Sequence, residues 1–194
     1  MKKTEEKFRL ILAEQIGKVR EMAADEEEIL WQSIDIWKGQ IYLEIPQEFM
    51  KPSVGEVEKI FPYDLKPQEI WMASEGQKIL TFNLLEKQLQ EEQVEDAIGA
   101  IGRFVHRAYP ESIQESARRF KTEAGIIGWF SFLTGGIEDD HYHIMFIMSV
   151  NGRMMLGSYH FPVAQTEQEW ITCFKIFESI QIHRESERTV WNAE

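Results

Sequence analysis

The chain has 194 residues, 33 acidic and 21 basic, for a formal charge of −12. With 43% hydrophobic and 28% charged residues it has the balance of a globular protein, neither disordered nor fibrous. The excess of carboxylates argues against nucleic acid and anionic membranes as partners, because a phosphate backbone needs clustered Lys and Arg. The densest basic group, Arg118, Arg119 and Lys121, sits among acidic residues.

Residues 4–23 have the pattern of an amphipathic helix, with Phe8, Ile11, Leu12, Val19 and Met22 at helical spacing and Thr4 as cap. Such a helix either docks on its own core or serves another chain. Glu5, Glu6, Arg9 and Glu14 interrupt every apolar stretch, so the segment lacks the core of an export signal. With a single cysteine, Cys173, and no apolar run near the roughly 20 residues that span a bilayer, a cytoplasmic location is expected.

Two strands follow, 29–36 and 40–45, joined by Trp37-Lys38-Gly39; in the second, Ile41, Leu43 and Ile45 alternate with polar positions. Pro52, Pro62 and Pro67 make 50–69 a loop with one helical turn near Val54–Ile60. Residues 70–74 and 77–85 flank Glu75-Gly76 as a hairpin, placing Met72 opposite Ile79. Val94, Ala97, Ile98, Ile101 and Val105 form the buried face of a helix. Its acidic start and basic end suit the helix dipole, which accounts for His106. A polar edge strand is expected over 114–123, a central strand over 125–134, and a hairpin of 141–150 and 153–162 turning at Asn151-Gly152. Thr166 to Glu169 reads as a capping box that opens a last helix with Trp170, Cys173, Phe174 and Phe177 on its apolar face. Trp71, Trp129 and Trp170 are expected in the core, and Trp31, Trp37 and Trp191 nearer the surface. Tight hairpins with helices between and after them predict an α+β fold, one antiparallel sheet flanked by helices.

Phe61-Pro62-Tyr63, Ile70 to Ser74, Ile79 to Leu85, Ile127 to Phe132, and the strands 142–150 and 153–162 with the Trp-bearing helix after them resemble a PsbP-like domain in element order and turn placement. That superfamily includes photosystem extrinsic subunits, a regulator of the Ran GTPase, and bacterial lipoproteins and chaperones. The resemblance implies an α/β/α sandwich that binds or scaffolds other proteins. It divides the chain into an extra N-terminal helix in 1–28, a PsbP-like domain over 29–182 and a tail over 183–194. The chain lacks the export signal and lipobox cysteine of several members.

Chemistry-bearing residues are few. A two-residue turn at Asn151-Gly152 pairs Val150 with Arg153 and hence His143 with His160, with His141 two residues along the same face. Two imidazoles so placed could share a divalent metal, with His141, Asp139 or Asp140 as a further ligand, or could respond to pH. Cys173 reads as a packing residue. Ser131 lacks a nucleophile-elbow frame, and the glycine pairs lack phosphate-loop spacing. The expected function is therefore a non-enzymatic module that binds a protein partner, a second copy of the chain included, with no cofactor. The alternative is a metal-binding protein or metal-dependent enzyme centred on His143, His160 and His141. A small-ligand pocket between the sheet and a helix is a third class, for which the sequence names no convergent polar group.

Overall fold

The computed structural model describes residues 29–62, 64, 66–135 and 140–183. The expected helix of 4–23 lies outside the described residues, as do Trp191 and all but the first residue of the tail. In chain order the elements are β1 (Trp31–Ile36), β2 (Ile41–Pro46), α1 (Val54–Ile60), β3 (Glu69–Ala73), β4 (Lys78–Gln88), α2 (Val94–Ala108), β5 (Ile113–Gln114), β6 (Arg118–Lys121), β7 (Ile126–Thr134), β8 (His141–Val150), β9 (Arg153–Pro162), α3 (Thr166–Ser179) and β10 (Gln181–Ile182).

Every strand pair is antiparallel. The large sheet runs β3-β4-β9-β8-β7, with β5 and β6 both on the outer edge of β7; the small sheet runs β1-β2-β10. Local chemistry sets the turns. Asn151 and Gly152 take φ of 51° and 81°, which fits the right-handed twist of the β8–β9 hairpin. At the β3–β4 turn Ser74, Glu75 and Gly76 all have positive φ, and Met72 pairs with Ile79 in the expected register. Ser53 and Glu56 form a reciprocal capping box that starts α1.

Three expectations about the elements change. The strands form two antiparallel sheets rather than one, because β2 pairs with β1 and β10 and not with the large sheet. The edge strand expected over 114–123 is two short pieces, β5 and β6: Glu115 N still bonds Ser131 O, but Ser116 and Ala117 then leave the ladder before Arg118 rejoins β7 opposite Trp129. Thr166 is no cap: it is the first residue of α3, and its hydroxyl donates back to Val163 O at 2.5 Å. Glu169 turns into the core instead.

Alternation along β8 and β9 sends Tyr142, Ile144, Phe146, Met148, Tyr159 and Phe161 to one face of the large sheet, where α3 and the small sheet cover them. This main core is aromatic: Trp129 meets Trp170 at 5.0 Å and Phe146 meets Phe177 at 4.8 Å, both edge-on. Trp129 and Trp170 are buried as expected, whereas Trp71 is half-buried. On the opposite face α2 packs Val94, Ile98 and Val105 on Phe130, Ile147 and Met154. At the far side of that face α1 brings Val57 and Ile60 to Ile70, Met72 and Ile79. The layers are thus helices α1 and α2, then the large sheet, then α3 with the small sheet. Among the described residues, no helix is long and apolar enough to cross a membrane.

Candidate functional site

Between the α1 and α2 patches the large sheet carries a polar seam. His143 pairs directly with His160, their rings 5.5 Å apart, and His141 lies 6.1 Å from His160. The neighbours across the sheet at this level are Ile79 on β4 and Phe132 on β7, so the pair stands between the two apolar patches. Phe132 stacks flat on His143 at 4.6 Å, and the exposed Tyr109 stacks on Phe132 at 6.1 Å. His143 Nε2 and Thr134 Oγ1 share a hydrogen bond of 2.8 Å. One pair further along, Thr81 and Ser158 share another of 2.8 Å.

Burial disfavours the charged imidazolium. It pushes His160 down to about 3, helped by the charges of His143 and His141. It pushes His143 down to about 4, helped by His141. Both are therefore neutral at neutral pH, which is the form that binds metals and the form that packs against Phe132. No three His, Cys, Asp or Glu among the described residues are grouped to hold a metal ion. Asp139 lies outside those residues, and the backbone carbonyl of Asp140 accepts from Val163 N. The sequence therefore places the two histidines together correctly, but the described carboxylates do not join them.

A second cluster escaped the sequence reading. Lys78 at the start of β4 is 8% exposed and Glu169 on α3 is 2% exposed. The Lys78 ammonium donates to Glu169 at 2.6 Å and to Glu48 at 3.0 Å. The Tyr159 hydroxyl donates a short hydrogen bond to the other Glu169 oxygen. Burial works to lower the Lys78 pKa, but the hydrogen bonds and charges of Glu169 and Glu48 outweigh it and hold the ammonium above its usual range. Burial pushes the Tyr159 phenol well up, with the Glu169 charge adding to it. The cluster borders a cavity of about 320 Å³ whose mouth includes Leu30 and Gln47. It is a structural clamp that joins α3, β4, β9 and the loop after β2. The only sequence signal for it is a Glu one residue before Trp170 on an apolar helix face. Cys173 is buried nearby, its thiol pushed well up by burial, as a packing residue's would be.

At the sequence level, no family model and no curated protein matches the chain. At the level of structure, the antiparallel sheets flanked by helices match the fold of solved PsbP and Mog1 proteins. The cyanobacterial PsbP (CyanoP) of Synechocystis sp. PCC 6803 superposes with a TM-score of 0.54 at 8% identity, covering 84% of this chain and 99% of its own. The Ran-binding protein Mog1p of Saccharomyces cerevisiae superposes with a TM-score of 0.51 at 8% identity, covering 82% and 98%. The α+β fold expected from the resemblance is the one observed.

Proposed function

We propose that the domain is a non-enzymatic binding or scaffold module that acts on a protein partner in the cytoplasm. One observation carries this reading. Leu30, just before β1, and Met50 and Val54, on the chain from β2 into α1, stand 62%, 71% and 75% exposed. Backbone and side-chain hydrogen bonds, Gln47 N to Leu30 O and Gln32 Nε2 to Phe49 O, hold these stretches together. Large apolar side chains held in water by fixed backbone are suited to contact with another protein. The structural neighbour Mog1p is described as a Ran-binding protein, which is in keeping with such a use of this fold.

The test compares the wild-type chain with the double variant Met50→Glu/Val54→Glu. Both positions are exposed, so the variant should melt within a few degrees of wild type. The reading expects a stoichiometric protein partner, cross-linked to residues 30 and 46–54, that the variant fails to retain. A partner retained equally by the variant, or cross-links confined to other surfaces, would refute it.

A second reading has its own observation, the direct His143–His160 pairing with His141 beside it. On this reading His143 and His160 supply two ligands of a divalent metal, His143 either exchanging its Thr134 hydrogen bond for the metal or ligating through its other nitrogen, and His141 has to shift toward the pair to become a third. Metal content of the purified chain decides it. About one zinc-class ion per chain, lost in His143→Gln/His160→Gln, is expected; metal-free protein whose melting ignores added zinc ends the idea.

A further inference from the structure

The outer side of α2 carries a groove that neither reading uses. It has a volume of about 730 Å³ and lies between α2 and the chain at 114–117, with Arg103, His106 and Arg107 along one wall. All three side chains are exposed. Five arginines are described in this acidic chain. Three are ion-paired: Arg118 with Glu115 at 3.8 Å, Arg119 with Glu95 at 3.1 Å and Arg153 with Glu86 at 2.6 Å. Arg103 and Arg107 have no ion pair among the described residues, and both line this groove. The groove's own carboxylate, Glu115, is turned to Arg118.

The floor is shaped for close approach. Gly102 lies so near the Gln114 amide that a Cβ there would stand 2.9 Å from Nε2. The Gln114 Oε1 has no hydrogen-bond partner. Phe104 is 65% exposed and precedes Arg107 by three residues, which makes the two neighbours on the helix surface. From Gly99 to Arg107 the helix advances about 12 Å, the length of about four extended residues.

We infer that this groove docks an acidic peptide segment of a protein partner, its carboxylates on Arg103 and Arg107 and an apolar residue against Phe104. The inference rests on the reading of the domain as a protein-binding module, but on a different surface. A peptide fits better than a nucleic acid. Two arginines with an aromatic neighbour match a short run of carboxylates around one apolar residue, while the charge of −12 repels an extended polyanion.

Fluorescence anisotropy with a labelled eight-residue glutamate peptide carrying one central leucine tests it. Saturable binding is expected, weakened by salt. The variant Arg103→Glu/Arg107→Glu should lose about tenfold or more in affinity. Lys66→Glu/Lys87→Glu, which makes the same charge change at exposed sites elsewhere, should stay within about twofold. Phe104→Ala should weaken the leucine peptide and leave an all-glutamate peptide unchanged. Equal loss in both charge-reversed doubles would reduce the effect to net charge and overturn the inference. So would an oligodeoxythymidylate of equal length that binds more tightly through the same arginines, or a peptide that does not bind. If the Met50 and Val54 face still holds its partner when the wild-type chain does not bind the peptide, only the groove assignment falls.

Discussion

The two faces of the large sheet are built on opposite terms. The face under α3 is a continuous core rich in aromatic rings, and among the described residues its buried charges are a pair, Glu169 and Lys78, joined by the Tyr159 phenol. The face under α1 and α2 is two smaller apolar patches with histidines, threonines and a serine between them. The first face therefore holds the fold together and tolerates little. The second leaves room between its helices for side chains that can change charge, and it is the side from which a binding surface can be altered without unfolding the domain.

The sharpest way to break that contrast is to remove one member of the buried clamp. Glu169→Gln should cost about 3 kcal/mol, toward the low end for breaking a buried pair, because it leaves the Lys78 ammonium beside a neutral amide with only the half-exposed Glu48 as counter-ion. Chemical denaturation measures it. Lys78→Met/Glu169→Leu, which removes both charges, should recover much of the loss. If the double variant is as unstable as the single, the clamp contributes more than the relief of its own charges.

Next comes Gly157 on β9, opposite Phe146. A Cβ at 157 would fall within the Phe146 ring, which lies over the glycine on the core face. Gly157→Ala should destabilise by about 1–3 kcal/mol through forced repacking. The same change at Gly55, an exposed helical position with nothing near its Cβ, should stabilise by up to about 1 kcal/mol. Equal effects at the two positions would mean that the ring moves aside freely, and that the core face is less rigid than its packing implies.

What the sequence made legible follows from the range of the forces. Asn151-Gly152 fixes its own turn, and the turn fixes the register of both strands, so His143 and His160 could be paired from local chemistry alone. The helix from Val94 announces itself by period and by its charged ends. Glu169 could not be placed that way. Three residues after Thr166, it has the same local signature as a capping glutamate, and only Lys78 and Tyr159, on strands assembled by the tertiary fold, draw it inward. The split of the edge strand into β5 and β6 was hidden for a related reason. Polar residues at an edge carry no burial pattern that distinguishes a paired position from one that has left the ladder. The groove on α2 is half visible, since the basic end of the helix is legible in the sequence, but which arginines lack carboxylate partners depends on the sheet edge.

The mildest change at neutral pH belongs to the histidine seam. His143→Gln should cost about 1 kcal/mol at pH 7, the scale of the hydrogen bond to Thr134. The more telling readout is its pH dependence. His143 and His160 are held down to about 4 and about 3 in the folded chain, whereas unfolded histidine titrates near 6.5. Between those values the unfolded chain binds more protons than the folded one, so stability rises with pH. Acidification from about pH 6.5 toward pH 4 should therefore weaken the fold, by up to about 1.4 kcal/mol per pH unit for each histidine. In His143→Gln/His160→Gln the slope over this window should flatten, while the carboxylate-driven loss below about pH 4 persists. An unchanged slope would show that the imidazoles are as well solvated in the fold as out of it. The seam would then be an open surface between α1 and α2, and the difference between the two faces of the sheet would lie in packing alone.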